Sequence, residues 1–273
     1  MTKAAPDVYQ PPELARLVAA VCASAKYRQV APGLIAAIGA GELAKGRSWK
    51  EAVKATKNKL HQVAGAYLPE RPDYRGWLAR LAQASTPAAQ AEVCQAIMAH
   101  HASTRERLPA LAQFYPTLFA GLPPITSVLD LACGLNPLAR PWMPLAPDAS
   151  YFACDIYQDQ ADFLNGCFAL LGVAGRAWVC DLIQAAPDQE ADVALLLKAI
   201  PCLGQIDKGI GPRLLEQVRA PVVIVSYPVQ SLGGRQKGMA TNYAAHFEAL
   251  AAGRPWQVTR YDFPHELVFR ILR

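Results

Sequence analysis

The chain has 273 residues, of which 52% are hydrophobic, and a formal net charge of +5. This length and composition are typical of a soluble globular protein with one large domain, or an α/β domain and a smaller partner. The sequence has no apolar run near the roughly 20 residues of a membrane helix and no secretory signal at its N-terminus, so we expect a cytoplasmic protein without a membrane partner.

The first predicted elements are helices. From about residue 12 to residue 118 the sequence is rich in Ala and Leu at helical spacing, and Pro12 lies near the first helix start. The helical segments are 11–27, 48–68, 74–84, 87–103 and 104–122. These segments predict an all-helical N-terminal part.

Positive charge is concentrated in this helical part. Residues 1–110 contain 15 Lys and Arg against 8 Asp and Glu, whereas residues 111–273 contain 12 against 14. In the segment that begins with a Ser48–Glu51 capping box, Lys50, Lys54 and Lys57 share one face. The asymmetry indicates a polyanionic partner, while a basic face that only aids solubility is an equal alternative on charge alone.

Short β-rich runs follow Pro123 and Pro124. They span residues 125–133, 150–156, 175–182, 192–200, 221–228, 256–263 and 266–272. Apolar strands alternating with helical segments predict a parallel sheet covered on both faces. Only Pro264 and His265 separate the last two runs, which indicates a hairpin. We therefore predict an α/β, Rossmann-like fold with seven mostly parallel strands. The antiparallel strand at the end of the sheet is typical of the class I S-adenosylmethionine (SAM)-dependent methyltransferase fold.

Acidic residues stand at three successive predicted strands. Asp130 lies within the first strand, Asp155 closes the second and Asp181 closes the third. Ligands of open α/β sheets bind beyond these strand ends, where Asp155 could accept ribose hydroxyls and Asp181 an adenine amino group beside Leu182. Gly134 would let the backbone approach the ligand. Each acid alone could be a cap or turn residue, but three together favour a binding site.

The loop after the first strand indicates which nucleotide binds. A dinucleotide requires a G-x-G-x-x-G turn for its pyrophosphate, whereas residues 134–137 read Gly-Leu-Asn-Pro. SAM contains an adenosine but no phosphate. We therefore predict SAM as the cofactor, and a nicotinamide dehydrogenase is the least favoured class.

The cysteines do not indicate a metal centre. The seven are odd in number and never spaced Cys-x-x-Cys, and Cys133, Cys154 and Cys180 fall near the ends of apolar runs. This pattern is typical of reduced core residues, so we predict no metal ligands.

Several motifs extend this interpretation to a family. They are "KLHQVAGAYL", "HASTRERL", "LDLACGLNPLA", "ACDI", "LLLKAIPCL" and "SLGGRQKGMATNYAAHFE". Together they resemble the aminoglycoside-resistance 16S rRNA methyltransferases of the Arm/Rmt type, which methylate N7 of guanine 1405. The resemblance implies a helical rRNA-docking domain over residues 1–110, a SAM-binding methyltransferase domain over residues 111–273, and the 30S subunit as partner. One copy suffices to dock on a 30S subunit, so we expect a monomer.

The resemblance also implies which residues surround SAM. They are Tyr67, His101, Ala102, Ser103, Arg107, Ala132, Gly134, Asp155, Asp181, Leu182, Leu197 and Ile206. Ile206 stands where relatives often carry glutamine. Arg107 could pair with the methionine carboxylate of SAM, or it could be a surface residue paired with Glu106 or another neighbour.

The predicted RNA contacts fall into two groups. The basic helical surface would hold rRNA through phosphates and shape, using Lys26, Arg28, Arg47, Lys50, Lys54, Lys57 and Lys59. In the last family motif, Arg235 and Lys237 would grip phosphates, Met239 or Tyr243 would pack on a flipped base, and Asn242 would bond near the guanine.

No catalytic base is predicted. Guanine N7 carries a free lone pair at neutral pH, so the enzyme has to align that atom with the methyl group rather than remove a proton. Two other functions fit part of the sequence: a small-molecule SAM methyltransferase, and a non-catalytic rRNA-binding factor with a degenerate SAM fold.

Overall fold

We describe a computed structural model of the chain. It describes residues 12–65, 67, 72–230 and 238–273. The helices are α1 (Pro12–Cys22), α2 (Pro32–Leu43), α3 (Trp49–Leu60), α4 (Tyr74–Gln83), α5 (Pro87–Met98), α6 (Ala102–Arg107), α7 (Leu111–Phe119), α8 (Gln158–Leu171), α9 (Ala199–Leu203), α10 (Ile210–Gln217) and α11 (Met239–Ala251). A π-helical turn, His61–Gly65, continues α3.

The strands form one seven-stranded sheet with the order β3-β2-β1-β4-β5-β7-β6. They are β1 (Ser127–Leu131), β2 (Ser150–Asp155), β3 (Gly175–Val179), β4 (Val193–Leu197), β5 (Val222–Pro228), β6 (Gln257–Phe263) and β7 (Glu266–Leu272). The first five pair in parallel, while β7 is antiparallel to both β5 and β6. The predicted methyltransferase fold with its terminal hairpin is confirmed.

The register brings the carboxyl ends of the central strands to one edge of the sheet. Leu131 of β1 lies opposite Cys154 of β2, and Asp155 lies opposite Val179 of β3. The strand order reverses between β1 and β4, which is where doubly wound sheets bind ligands. The loops after β1 to β4 therefore meet at a single place.

Both faces of the sheet are covered, as the apolar strand runs require. One hydrophobic cluster joins α4, α5, α7 and α8 to the sheet, and a second joins α10 and α11 to its other face. Residues of α4 and α5, such as Trp77 and Ile97, share the first cluster with Phe163 of α8. The domain boundary at residue 110 stays a prediction, because apolar packing continues across it.

Helices α1 to α3 form a third hydrophobic cluster beside the loops that follow β2 and β3. Buried Leu17, Ile35 and Leu60 meet there, packed against Ile156 and Ile183 from the loops after β2 and β3. The Ser48–Glu51 capping box begins α3, since the Ser48 backbone N–H donates to Glu51 Oε2 at 3.0 Å. In the ranges that the structure describes, we find no helix with the length and apolar character of a membrane span.

Candidate active site

A cleft opens at the carboxyl ends of the central strands. Residues 132–134 line it after β1, residues 155–157 after β2, Asp181 after β3, and residues 197–199 at the end of β4. The cleft therefore lies at the switch point of the sheet, as the sequence predicted.

The N-terminal helices contribute a wall of the same cleft. Leu34 of α2 and Val63 of the π-helical turn line it. An isolated antiparallel bridge joins Val30 to Tyr157, and the Ala31 N–H donates to the Ile156 carbonyl at 2.8 Å. The helical part is thus attached directly to the loop after β2.

The structure brings most of the predicted cofactor residues together. Those lining the cleft are Tyr67, His101, Ser103, Arg107, Ala132, Gly134, Asp155, Asp181, Leu197 and Ile206. Two others are buried behind it. Ala102 donates its N–H to the Tyr67 carbonyl at 2.9 Å, and Leu182 packs in the hydrophobic cluster of Leu131 and Cys154. The ligand contacts of all twelve stay predictions.

Asp155 is held in place by the backbone around it. Its Oδ2 accepts the Gly134 N–H at 2.8 Å and its Oδ1 accepts the Ile156 N–H at 2.7 Å. Burial raises the pKa of Asp155, while the N–H groups of Gly134 and Ile156 and the Gln160 side chain oppose the shift. A carboxylate has about four lone-pair sites, so these donors leave room for a ligand hydroxyl.

Asp181 is the second acid that faces the cleft. Its Oδ1 accepts the Ile183 N–H at 3.0 Å, and its Oδ2 accepts from Gln184 Nε2 at 3.2 Å. Burial raises the pKa of this carboxyl as well, against those two hydrogen bonds. Asp155 and Asp181 together offer two acceptors on neighbouring loops, as an adenosine requires.

Gly134 is required by both its conformation and its neighbour. Its φ is +52°, and a Cβ atom there would lie 2.8 Å from Cε1 of His101. The His101 ring stacks on Tyr67, with centroids 5.7 Å apart and planes at 16°. Burial, helped by the charges of Arg107 and Lys198, lowers the pKa of His101 to about 3, so this imidazole is uncharged at neutral pH.

A Gly134→Ala variant is expected to lose about 2–4 kcal/mol of unfolding free energy, from left-handed backbone strain plus overpacking against His101. Gly172→Ala is the matched control, because Gly172 has a φ of +63° with nothing within 4 Å of its Cβ position. That control should lose only the strain, about 1–2 kcal/mol. Urea unfolding measures the unfolding free energy of both variants. Equal losses would show that the His101 side chain moves away from the new methyl group at little cost.

Arg107 lies in a buried charge network beneath the cleft. Its side chain is 1% exposed, and Nε and Nη2 donate to the two oxygens of Glu266 at 3.0 and 2.6 Å. Lys198 Nζ lies 2.6 Å from Glu106 and 3.7 Å from Glu266. The alternative of a surface Arg107 paired with Glu106 is therefore wrong. Two cations and two carboxylates offset each other, which is what burial of charge requires.

Asp130 does not line the cleft, which corrects the grouping of three acids at the ligand. It is 1% exposed, and its Oδ2 accepts from Asn136 Nδ2 and the Tyr151 hydroxyl, each at 2.8 Å. Burial raises its pKa to about 7 despite these donors. Because successive side chains of a strand point to opposite faces, Asp130 lies on the same face as Val128, opposite to Leu129 and Leu131.

Sequence reasoning missed several polar residues of the cleft, among them Asn136, Gln160, Lys198 and Cys202. Asn136, Lys198 and Cys202 stand inside the family motifs, which was the available signal. Gln160 Nε2 donates to the Gly134 carbonyl at 3.0 Å across 26 residues, a contact that no local pattern shows. The left-handed backbone of Lys198, with φ 58°, is likewise invisible in the sequence.

Comparison with known proteins identifies the family. The family model described as "Ribosomal RNA methyltransferase (FmrO)" matches residues 23–270. This chain belongs to the FmrO family of ribosomal RNA methyltransferases. The resemblance drawn from the motifs is confirmed.

Relatives of the FmrO family match almost the whole chain. The 16S rRNA (guanine(1405)-N(7))-methyltransferase of Frankia casuarinae is 43% identical over 259 residues, covering 93% of this chain and 91% of that protein. The protein of the same name from Micromonospora echinospora is 38% identical over 276 residues, 99% of each chain. The crystal structure of the 16S rRNA methyltransferase RmtF in complex with S-adenosyl-L-homocysteine has a TM-score of 0.82 and 32% identity, covering 97% of this chain and 100% of that one.

The basic surface of this FmrO family member runs along α3. Lys50, Lys54, Lys57 and His61 recur at one helical face, and we call these four residues the α3 stripe. Lys57 donates to Ser24 Oγ at 2.6 Å.

Other predicted basic contacts lie near the α3 stripe. Lys26 Nζ is 3.0 Å from His61 Nδ1, while Arg28 is exposed and Lys59 is half-buried. Arg47 forms an ion pair with Glu42. The role of all these residues in RNA binding stays a prediction.

The second group of predicted RNA contacts is only partly described. Arg235 and Lys237 lie outside the described residues. Met239, Asn242 and Tyr243 lie in the first turns of α11. These three do not line the cleft, and Tyr243 stacks on Tyr227 with centroids 5.0 Å apart.

Proposed function

We propose that this chain methylates N7 of guanine 1405 in the 16S rRNA of the 30S subunit, using SAM, and thereby confers aminoglycoside resistance. The observation that carries the proposal is a cleft with two ordered acids, Asp155 and Asp181, and no phosphate-binding turn, in a chain of the FmrO family. The enzyme would act in the cytoplasm. It would act as a monomer, since one copy suffices to dock on a 30S subunit.

The residues present fit SAM. Asp155 would accept the ribose hydroxyls and Asp181 the adenine amino group, while Arg107 would face the carboxylate of the amino-acid part. The SAM sulfonium supplies an activated methyl group when it is bound. The paired charges of Arg107, Lys198, Glu106 and Glu266 leave little net positive charge to repel that cation.

The chain has to position the guanine rather than exchange protons with it. Guanine N7 is unprotonated at neutral pH, and His101, which is uncharged, is not needed as a base. Tyr67 and Cys202 lie at 2.8 Å from each other, oxygen to sulfur, where α9 meets the π-helical turn. Burial raises the pKa of both groups, so both are uncharged at neutral pH. An uncharged pair of this kind suits the ring of a nucleobase rather than a phosphate.

The α3 stripe would carry the contact to rRNA phosphates. It continues into the π-helical turn, whose Val63 lines the cleft two residues beyond His61. Docking through the stripe would therefore place RNA beside the cleft opening. Contacts of this kind depend on salt and on shape rather than on base sequence.

Reversing two charges of the stripe tests this arrangement. A Lys50→Glu, Lys54→Glu double variant is expected to bind 30S subunits about tenfold or more weakly at physiological salt, because it loses two contacts with phosphates. Its affinity should also depend less steeply on salt concentration, since fewer counterions are released on binding. Filter binding across a salt series measures both effects. The control, Arg219→Glu with Arg260→Glu, changes the charge equally at exposed residues outside the stripe. Equal weakening in both double variants would mean that only total charge matters.

The function itself is tested on unmethylated bacterial 30S subunits with the purified chain and SAM. Borohydride and aniline cleave RNA at 7-methylguanosine, and primer extension then locates the cleavage. We expect a stop at guanine 1405 that requires SAM. A chain that binds SAM but produces no stop there would favour another RNA or a small-molecule acceptor, and a chain that does not bind SAM would favour the non-catalytic rRNA-binding factor.

A further inference from the structure

Asn136 has no part in the contacts proposed above, although its side chain lies at the cleft. It is 2% exposed and follows Gly134 in the loop after β1. Dinucleotide-binding loops need only backbone there, whereas this loop places a buried amide. A buried amide is retained at low cost only if its polar atoms are bonded.

Three side chains from different elements bond the Asn136 amide. Its Oδ1 accepts from Arg107 Nη1 at 2.6 Å and from the Tyr115 hydroxyl at 2.5 Å. Its Nδ2 donates to Asp130 Oδ2 at 2.8 Å. Because an arginine only donates hydrogen bonds, the oxygen of Asn136 must face Arg107. The amide therefore has one orientation, with two donors on its oxygen and one N–H of its nitrogen bonded to Asp130.

The same contacts determine where the guanidinium of Arg107 points. Glu266 takes one N–H from Nε and one from Nη2, Asn136 takes one from Nη1, and the ring of Phe114 lies 4.7 Å from the guanidinium carbon. An arginine has five N–H groups. One N–H on each terminal nitrogen is thus left over by these partners, in a side chain that lines the cleft.

We propose that Asn136 is a positioning residue, which fixes the guanidinium of Arg107 so that its terminal N–H groups receive the carboxylate of the cofactor's amino-acid part. This inference rests on the proposed function, because it assumes a SAM-type ligand in the cleft. Without Asn136 only Glu266 holds Arg107, and the freed Nη1 group turns toward whatever acceptor remains. The carboxylate contact then weakens, while the adenosine contacts of Asp155 and Asp181 do not change.

This division can be measured with two probes. S-adenosylhomocysteine carries the amino-acid part, and 5′-methylthioadenosine lacks it. In calorimetry, Asn136→Leu is expected to bind S-adenosylhomocysteine about tenfold more weakly, the scale of one hydrogen bond to a charged group. Binding of 5′-methylthioadenosine should stay within about twofold of the unmodified chain.

Two further variants separate positioning from a structural role. Asn136→Asp keeps an oxygen that accepts from Arg107. At pH 6 the new carboxyl can share a proton with Asp130, whose pKa is about 7, so two negative charges do not face each other. It should therefore retain the affinity ratio of the two probes. Tyr115→Phe removes the other donor to the same oxygen and should also retain the ratio.

Each outcome decides the question. Equal weakening of both probes by Asn136→Leu, no weakening at all, or a selective loss of S-adenosylhomocysteine in Asn136→Asp would overturn the positioning role. If the leucine variant does not fold, Asn136→Ala takes its place, with the same selective loss of S-adenosylhomocysteine expected. Failure of the unmodified chain to bind either probe would instead refute the proposed function.

Discussion

An Asp155→Ala variant is expected to bind SAM about 2–3 kcal/mol more weakly than the unmodified chain, the scale of hydrogen bonds to a charged group. The carboxylate would lose its contacts with the ribose. It would also lose the Gly134 N–H, so the loop after β1 would no longer be tied to the end of β2. The rate of methylation of 30S subunits at low SAM concentration should fall in proportion to the loss of SAM affinity.

Calorimetry with SAM measures the Asp155 effect directly. Asp162→Ala is the matched control, since Asp162 is an exposed acid on α8 whose contact in the structure is with Gln158 on the same helix. Its removal changes the charge equally and should leave SAM affinity unchanged. Equal SAM affinity in the Asp155 variant would remove this residue from the ribose contact.

A Glu266→Gln variant is expected to lose about 3–5 kcal/mol of unfolding free energy, because it leaves Arg107 and Lys198 without their shared buried anion. Glu266 is 2% exposed and also accepts from Ser226 Oγ at 2.6 Å. The loss should appear in urea unfolding even without cofactor. The variant should also bind SAM more weakly, because Glu266 holds one side of the Arg107 guanidinium.

The effect of Glu266 has a defined pH dependence. Burial alone would raise the pKa of this carboxyl, but the charges of Arg107 and Lys198 lower it below 4.5. A carboxyl whose pKa is lowered by folding stabilises the fold at pH values above its unfolded-state pKa. The difference in unfolding free energy between the unmodified chain and the variant should therefore shrink as the pH falls below about 4.5.

An exposed ion pair provides the control for Glu266. Glu216 pairs with Arg254 at 2.5 Å, but its side chain is 61% exposed. Glu216→Gln should therefore change the unfolding free energy by about 1 kcal/mol or less. A Glu266 variant no less stable than this control would mean that the buried network reorganises around its missing charge.

The fold could be predicted from the sequence because its signals are local. Apolar strand runs, helical crossovers and the two-residue break at Pro264 and His265 each indicate an element or a connection without reference to the rest of the chain. The switch point then follows from the strand order. Asp155 and Asp181 were placed correctly at the cleft for this reason.

The rest of the site depends on contacts between distant parts of the chain. Arg107 and Glu266 are 159 residues apart, and only the finished sheet brings them together. Asp130 was expected among the ligand-facing acids because its position in β1 is apparent, whereas the direction of its side chain is decided by packing. Lys198 was missed for the same reason, since its partners Glu106 and Glu266 come from other elements.

The attachment of α1–α3 to the loops after β2 and β3 has a consequence during synthesis. These helices are synthesised before Ile156 and Ile183, which complete their apolar cluster. At about 5–20 residues per second the early helices wait several seconds with their apolar faces uncovered. Nascent chains that stall before Ile183 should therefore be captured by chaperones or cleaved by proteases, whereas chains past this point should become resistant.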